Sequence, residues 1–499
     1  MCTALAVGVR LYDIDEPGWE FSPARQYHSA LIARGLYLES QESAPEWKRR
    51  IARRNAEDEG VVGEPPAIEF ITSLAWRVAG GEHLWMPRVI SVLAWLIGGV
   101  FLFFIARRIA SPEAALCSVW FYLFLHFAIN ASRSFQPDPL VVALLLASVL
   151  LICRHREAPT RGRFCAAGAV SAVAILAKPG VVLFPIIGAF LALSVYDRGV
   201  GAALKSRRTY AFAVLAVAPT AIYVFVGTYV AGFLAGDAEG RFLPHLLGRA
   251  DYWAGWLRLV VEVAGVGPLV LALLGLVLAR GLGQALLIGL LAGYLVYGLT
   301  FSFHIHTHDY YSLQLIPIVA LALTSVTDAV LERLRAVAGR RLLHLGLAAA
   351  LVIASGALVA REIRARVTSP PDQFHHSVEQ YKEIGAAVQH SGSTLLIDQD
   401  FGASLKYYGF LSGAYWPMRD EMREEPKWRD NPPSSATERL RRDYWPNHRN
   451  TAGPPEYFIV TKLDELDLQP DLRRLLDRFP IRKRTDAYVI YDLRGRYPL

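Results

Sequence analysis

Residues 84–106, LWMPRVISVLAWLIGGVFLFFIA, contain one charged side chain, Arg88, in an otherwise apolar stretch. About 20 apolar residues in a helix cross the hydrocarbon core of a bilayer, so this stretch predicts a membrane span. Nine similar runs follow it, at 113–131, 137–153, 164–178, 180–196, 209–233, 259–279, 282–303, 310–331 and 342–361. Because helices satisfy their own backbone hydrogen bonds within lipid, we predict an α-helical polytopic membrane protein.

Charged residues are distributed unevenly along the 499-residue chain, which is 53% hydrophobic and 19% charged. Residues 89–361 contain 32 Asp, Glu, Lys and Arg side chains (about 12%), whereas residues 362–499 contain 42 (about 30%). The hydrophobicity excludes a disordered chain. Four cysteines without paired spacing exclude a disulfide scaffold and the common zinc motifs. We therefore expect a membrane domain at 1–361, whose outer loop 10–83 bears interfacial helices, and a soluble domain at 362–499.

The segment 362–499 has the pattern of a small α/β domain. Short apolar runs predict buried strands at 394–398, 457–461 and 487–491. Helices are predicted at 376–389 and 470–478, and the stretch 416–455, rich in proline and charge, predicts loops. At the other end of the chain, MCTALAVGV (1–9) lacks the features of a signal peptide. We expect it to be the end of a first span, which gives ten or eleven spans in total.

Basic residues in the short loops predict the orientation of the bundle. One alternating set of loops carries 15 Lys and Arg residues and the opposite set carries five. Because basic loops remain in the cytoplasm, residues 10–83 and 362–499 are predicted to lie outside the plasma (inner) membrane. The net charge of +7 is then an orientation signal. Because the excess basic residues are divided among short loops, nucleic acid is excluded as a partner. Membrane lipids are the expected surroundings.

Side chains able to perform chemistry collect in the predicted outer loops. The first loop begins with YDIDEP (12–17) and later contains Glu64, which precedes two prolines. Three further loops contain RSFQPDP (133–139), KPG (178–180) and HIHTHDYY (304–311). Acids, bases and imidazoles from distant segments are thus predicted to meet at one face of the membrane.

The order of these motifs resembles that of the GT-C membrane glycosyltransferases. The similar elements are the acidic pair Asp15-Glu16, Glu64-Pro65-Pro66, SRSFQPDPL (132–140), AKPG (177–180) and HDYYSLQLIP (308–317). Within this group the chain resembles the family of protein O-mannosyltransferases and the lipid A aminoarabinose transferase, over roughly residues 1–330. The resemblance implies a GT-C-like bundle, often followed by a soluble C-terminal domain. It also implies transfer of a sugar from a polyprenyl-phosphate carrier to an acceptor hydroxyl, usually with inversion.

The resemblance assigns roles to matching positions. An acceptor hydroxyl needs a general base within hydrogen-bond reach, and the family's acidic pair implies Asp15 or else Glu16. The departing lipid phosphate needs cationic partners, for which we predict Arg133 and Lys178. The further candidates are His308, Tyr310 and Tyr311 for the phosphate or sugar, and Asp138, Asp13 and Glu64 for orienting or acceptor contacts. Asp138 in particular is expected to orient Arg133 or to contact the acceptor.

Two positions depart from the family pattern. Relatives commonly have a lysine, expected to contact phosphate, where this chain has Glu64. An Arg-Tyr pair often follows the acidic pair closely, whereas the nearest candidates here, Arg25 and Tyr27, lie about ten residues further on. Either Lys178 or Arg133 replaces the missing lysine, or the donor headgroup differs.

Structural interpretations of the same residues stay open. Asp138 is equally suited to capping the helix that follows it, and Lys178 to a turn from which it reaches the interface. His304, His306 and His308 would share one face of an extended segment, as metal ligands do. Interfacial histidines are commoner, and we expect no metal and no other cofactor.

The main alternative function is a secondary transporter, which would favour internal repeats and ionisable groups at mid-membrane. The sequence shows no internal repeat, and its polar clusters lie at one rim. A non-catalytic binding protein is the third class, but it needs only one or two spans. We predict a glycosyltransferase of the cell envelope. Its sugar, hexosyl or pentosyl, and its acceptor, a protein, glycolipid or polysaccharide, stay open.

Overall fold

The computed structural model describes residues 1–60, 63–234, 242–369, 376–424, 433, 435–444 and 454–495. The chain forms two compact units. Unit 1 comprises Met1–Glu16, Val62–Ala67 and Trp85–Ser369, and unit 2 comprises Pro17–Val61, Ile68–Leu84 and Pro370–Leu499. Most of the predicted outer loop is thus grouped with the C-terminal segment. The domain boundary at 361 stays a prediction.

Most elements are helices. The first twelve are α1 (Cys2–Leu11), α2 (Pro23–Glu39), α3 (Glu46–Glu59), α4 (Ala67–Ala79), α5 (Trp85–Ala106), α6 (Pro112–Phe124), α7 (His126–Ala131), α8 (Asp138–Glu157), α9 (Arg161–Ala177), α10 (Leu183–Arg198), α11 (Val200–Lys205) and α12 (Arg207–Phe225). The next six, up to the end of unit 1, are α13 (Ala250–Ala264), α14 (Val266–Leu278), α15 (Gly281–Thr300), α16 (Ser302–Thr307), α17 (Leu315–Ala338) and α18 (Arg340–Thr368). Unit 2 continues with α19 (Val378–Ala387), α20 (Ala403–Gly409), α21 (Arg419–Glu424), α22 (Ala436–Tyr444), α23 (Leu463–Asp467) and α24 (Pro470–Leu476).

Among the described residues, six helices are long and apolar enough to cross a membrane. They are α5, α8, α12 with the π-helical turn that follows it, α15, α17 with the turn before it, and α18. The predicted spans at 113–131, 164–178 and 180–196 correspond to the shorter helices α6 with α7, α9 and α10. The expected class, a helical polytopic membrane protein with a small C-terminal sheet, is confirmed. The sequence predicts ten or eleven spans, whereas six helices, or seven if the bent pair is one span, meet the length and composition of a span among the described residues.

One predicted span is not a continuous helix. Helices α13 and α14 meet at Gly265 and are bent by 93° relative to each other, so the prediction of one helix over 259–279 is wrong. Gly265 has a φ of 80°, a conformation that glycine adopts without steric cost. The pair becomes a seventh span only if both halves are counted as one.

Close helix packing in unit 1 depends on small residues. A Cβ atom at Gly188 of α10 would lie 2.3 Å from the carbonyl oxygen of Gly289 in α15. A Cβ atom at Gly293 would lie 2.4 Å from the carbonyl oxygen of Phe184. Glycines at such positions let the backbones of membrane helices approach closely, which favours packing without a hydrophobic driving force.

The C-terminal part of unit 2 contains a five-stranded sheet with the order β2-β1-β3-β5-β4. Its strands are β1 (Thr394–Ile397), β2 (Gly413–Tyr415), β3 (Tyr457–Val460), β4 (Ile481–Arg484) and β5 (Val489–Asp492). Strand β1 is parallel to β2 and β3, whereas β5 is antiparallel to β3 and β4. The strands β1 and β3 are buried throughout, in agreement with their continuous apolar sequences. Strands β2 and β4 were not predicted.

Helices cover both faces of this sheet. Leu395 and Phe458 belong to a core shared with Leu440 of α22 and Leu472 of α24. Residues of the opposite face pack with Tyr381 of α19 and Leu405 of α20. The prediction of loops over 416–455 is wrong where α21 and α22 form, and its residues 425–432, 434 and 445–453 lie outside the described part of the chain. Helix α2, which lies in the outer loop predicted to bear interfacial helices, is buried over most of its length and packs on α3 and α20.

Candidate active site

Two buried arginines hold the acidic loop that follows α1. Arg88, in the first turn of α5, donates to the carbonyl oxygens of Ile14 at 2.8 Å and Glu16 at 2.7 Å. Its Nε atom also donates to the carbonyl oxygen of Arg133 at 3.1 Å. Arg133 in turn donates to the carbonyl oxygen of Asp13 at 2.8 Å. The two guanidinium groups therefore donate hydrogen bonds to the backbone carbonyl oxygens of Asp13, Ile14 and Glu16 in this loop.

The carboxylates of this loop are left accessible. Asp13, Asp15 and Glu16 are exposed, whereas Arg88 and Arg133 are buried. Asp13 has a φ of 53°, a left-handed conformation that Asp tolerates better than most residues. The loop thus exposes its carboxylates while two buried arginines hold its backbone. An exposed carboxylate held in this way is suited to act as a general base, which must reach a bound hydroxyl.

Asp138 and Lys178 form a second cluster. Asp138 is the first residue of α8, and Lys178 directly follows α9. The Lys178 Nζ atom lies 2.8 Å from each carboxylate oxygen of Asp138, and their side chains are 4% and 3% exposed. The same ammonium group lies 5.0 Å from the ring centre of Tyr310 and 4.6 Å from that of Tyr311. Two tyrosine rings therefore flank a compensated, buried cation.

A small cavity of about 20 Å³ lies between this cluster and other predicted site residues. It is lined by Gly63, Glu64, Lys178, Pro179, Val181, Tyr297, Phe301, His304 and Tyr311. The turn at 178–180 requires glycine, since Gly180 has a φ of 94° and a Cβ atom there would lie 2.3 Å from the ring of Phe301. Three segments far apart in sequence therefore line one polar cavity.

The histidines do not share one face of an extended segment, as the sequence suggested. His304 and His306 lie in the short helix α16, and His308 follows it. The His304 ring packs 4.9 Å from that of Tyr311, while the His306 Nδ1 atom lies 2.7 Å from the carbonyl oxygen of Ser302. Across the part of the chain described, no group of three or more His, Cys, Asp and Glu side chains is arranged to hold a metal ion. The absence of a cofactor stays a prediction.

His308 is held in its neutral form. Burial and then the charge of Lys178 lower the pKa of His308 from 6.5 to about 4. Its Nδ1 atom lies 2.7 Å from the Thr307 hydroxyl. At neutral pH this imidazole can therefore donate one hydrogen bond and accept another, but it adds no positive charge.

The structure brings the sequence candidates together in two groups. Asp13 and Arg133 form the first, and Asp138, Lys178, Tyr310 and Tyr311 form the second, with Glu64 lining the cavity beside Lys178. Asp138 pairs with Lys178, and its expected role in orienting Arg133 or contacting the acceptor stays a prediction. Asp15 is exposed, and Glu16 is tied to the site through its backbone.

Sequence reasoning missed three arginines that fix the site. Arg88 was the only charge in an apolar run, and an ionisable residue in such a run is a signal of function. Arg10 donates to the Ser132 hydroxyl and the carbonyl oxygen of Leu123, both at 2.7 Å. Arg366 donates to the Asn130 side chain at 3.0 Å. Arg10 and Arg366 thus connect the first and last helices of unit 1 to the segment that carries Arg133.

Comparisons with known proteins agree with this arrangement. The profile of a family described as dolichyl-phosphate-mannose-protein mannosyltransferase matches residues 63–223. The fold is similar to that of ArnT from Cupriavidus metallidurans in the apo state, with a TM-score of 0.59 at 15% identity over 98% of this chain and 96% of that one. ArnT bound to undecaprenyl phosphate gives a TM-score of 0.60 at 15% identity, over 98% and 97%. No curated protein sequence matches significantly. The expected resemblance to the GT-C glycosyltransferases is confirmed, and the chain has the GT-C fold of ArnT.

Proposed function

We propose that this chain is an integral membrane glycosyltransferase that moves a sugar from a polyprenyl-phosphate carrier to an acceptor hydroxyl. The observation that carries the proposal is that residues of one short segment, 133–138, hold both the acidic loop, through Arg133, and Lys178, through Asp138. The family profile at 63–223 supports the reaction class. The carrier is supported by the undecaprenyl phosphate in the ArnT complex of similar fold.

In the proposed reaction, the carboxylate of Asp15 accepts the proton of the acceptor hydroxyl. The acceptor oxygen then attacks the anomeric carbon as the bond from that carbon to the phosphate oxygen breaks. Attack opposite to the leaving group inverts the anomeric configuration. The released phosphate gains negative charge, which fixed cations and hydrogen-bond donors stabilise. Glu16 is the second candidate for the base.

Arg133 and Lys178 supply positive charge for the phosphate. Each already has a protein partner, Asp13 through its backbone and Asp138 through its carboxylate. Such contacts hold a cation in place before substrate arrives, which reduces reorganisation during the reaction. The hydroxyls of Tyr310 and Tyr311 and the neutral imidazole of His308 then serve as hydrogen-bonding groups for phosphate or sugar. Glu64, in the same cavity, is suited to contact sugar hydroxyls.

The general-base assignment is tested with Asp15→Asn in the full chain, reconstituted with synthetic polyprenyl-phosphate sugars and candidate acceptors. We expect kcat to fall by about 10²–10⁴-fold, the usual contribution of a positioned general base. Glu42→Gln, at an exposed position in the same predicted outer loop, is the matched control and should transfer at the normal rate. Normal transfer by Asp15→Asn would overturn the assignment, and solute flux without sugar transfer would favour a transporter.

The outer location of the site is part of the proposal. It rests on the positive-inside rule applied to the loops. A single cysteine introduced by Glu42→Cys should react with a membrane-impermeant maleimide in intact spheroplasts. The exposed Cys165, near the start of α9 at the end predicted to face the cytoplasm, should react only after lysis. The reverse pattern would place the acidic loop in the cytoplasm.

A further inference from the structure

A second polar cavity lies at the opposite end of α8 from Asp138. Its volume is about 100 Å³, and it is lined by Ile152, His155, Arg156, Pro159, Phe190, Leu193, Ser194, Asp197, Arg198, Arg208 and Thr209. Arg156 follows Asp138 by 18 positions in the same helix, which is about 27 Å along the helix axis. The cavity is therefore separate from the candidate active site, at the end of the bundle predicted to face the cytoplasm.

The cavity has an excess of positive charge. Its lining contains three arginines and one carboxylate, that of Asp197. Asp197 is engaged by Arg156, whose Nε and NH2 groups donate to it at 3.0 and 2.8 Å. Arg198 donates to the neutral hydroxyl of Ser206 at 3.2 Å. The charge of one guanidinium is thus compensated within the lining, while two more, those of Arg198 and Arg208, remain for an anion.

Helix α12 adds to this field. Arg208 and Thr209 lie in its first turn, which contains no acidic residue, and its N-cap side chain makes no capping hydrogen bond. The amide groups of a helix N-terminus attract anions. The Nδ1 atom of His155, another lining residue, is buried without a hydrogen-bond partner among the described atoms. Backbone and imidazole groups thus accompany the two guanidinium groups.

The inner part of the cavity is apolar. Ile152, Phe190 and Leu193 are almost fully buried, and the ring of Phe190 stacks on that of Phe212 at 3.9 Å. The lining therefore combines a cationic rim with an apolar floor. Basic cavities between membrane helices on the cytoplasmic side fit phospholipid headgroups, because the phosphate meets cations while the acyl chains stay among apolar groups.

We infer that this cavity binds the phosphate group of an anionic phospholipid from the cytoplasmic leaflet, through Arg198, Arg208 and the N-terminus of α12. Free inorganic phosphate shares the charge of this ligand but has nothing to occupy the apolar floor. The inference is independent of sugar transfer, since its residues lie outside the proposed active site.

Native mass spectrometry of the delipidated full chain, titrated with phosphatidylglycerol, tests the site. We expect one lipid to bind preferentially to the wild type and at least about tenfold more weakly to Arg198→Gln/Arg208→Gln, since two cations near a phosphate are lost. The control is Arg333→Gln/Arg341→Gln, which removes the same charge from exposed positions of α17 and α18. The control should bind as the wild type does, and thermal unfolding establishes that all three proteins are folded. Equal binding by all three would overturn the site.

Two further titrations identify the ligand. Zwitterionic phosphatidylcholine should bind at least tenfold more weakly than phosphatidylglycerol, and millimolar inorganic phosphate should not displace the anionic lipid. Equal binding of phosphatidylcholine would show that the excess charge is not used. Displacement by inorganic phosphate would identify a free phosphate site and overturn the lipid proposal.

Discussion

The ammonium group of Lys178 lies 2.8 Å from both carboxylate oxygens of Asp138, and both side chains are almost completely buried. Burial removes both charges from water, so each depends on the other. Position 178 directly precedes Pro179 and Gly180, and the positive φ of Gly180 directs the chain past Phe301. The pair therefore fixes the turn after α9 to the start of α8, beside the rings of Tyr310 and Tyr311.

Removal of one member of this pair should destabilise the protein more than removal of both. Lys178→Met or Asp138→Asn leaves one uncompensated buried charge or unmet hydrogen-bonding group, at a cost of about 3–5 kcal/mol in the free energy of unfolding. Lys178→Met/Asp138→Leu should recover part of that loss. Unfolding in mixed detergent micelles measures all three. A double variant less stable than both single variants would show that the charges themselves stabilise the fold.

Arg88 should act as a positioning residue. Arg88→Ala removes three hydrogen bonds, to the carbonyl oxygens of Ile14, Glu16 and Arg133, and thereby frees the acidic loop. We expect kcat to fall by about 10²-fold, as for a small misplacement of a reacting group, while the donor Kd changes little. Measurement of kcat and donor binding separates the two effects. Arg107→Ala, at the other end of α5, is the control, and an equal loss there would point to general disruption of the helix.

His308 should make the protein less stable in mild acid. Because burial and Lys178 lower the pKa of His308 to about 4 from 6.5, the unfolded chain binds a proton between these values that the folded chain does not. Stability should therefore fall as the pH decreases from 6.5 towards 4. His308→Gln should flatten this part of a Tm-against-pH profile. An unchanged slope in the variant would assign the acid sensitivity to another group.

Glu59 in unit 2 should stabilise the packing of α2, α3 and α20. Its carboxylate lies 2.8 Å from His28 Nδ1 and 3.1 Å from Lys406 Nζ. Burial opposes ionisation of Glu59, but Lys406 and His28 more than compensate and lower its pKa well below the usual 4.5. The stabilisation is thus present above pH 4.5 and is lost as the pH falls further, through the folded-state pKa.

Glu59→Gln removes that charge and leaves Lys406 without its carboxylate. We expect a loss of about 3–5 kcal/mol at pH 7, and faster cleavage of unit 2 by trypsin. Glu57→Gln, exposed in the same helix, provides the control with the same chemical change. If both variants resist trypsin as the wild type does, the cluster of Glu59, His28 and Lys406 contributes little to stability.

The sequence by itself determined the class of fold and the order of the functional segments. The informative patterns are local ones: long apolar runs, basic residues in alternate loops, and short apolar strands. Each reflects a requirement that acts on a short stretch of chain, such as the length needed to cross a bilayer. They located α5, α8, α15 and α17 as well as β1, β3 and β5. The order of motifs along the chain can be read without any knowledge of contacts. That order made it possible to recognise the acidic pair, Lys178 and the HDYY segment.

Only the tertiary structure decided which of these residues meet. Lys178 is paired with Asp138, 40 positions away, and Arg88 with a loop more than 70 positions earlier. Gly265 divides one apolar run into two helices, although its composition is that of a single span. Such outcomes depend on the crossing of helices and on the need to compensate each buried charge. Both are properties of the packed chain, and no local stretch of sequence contains them.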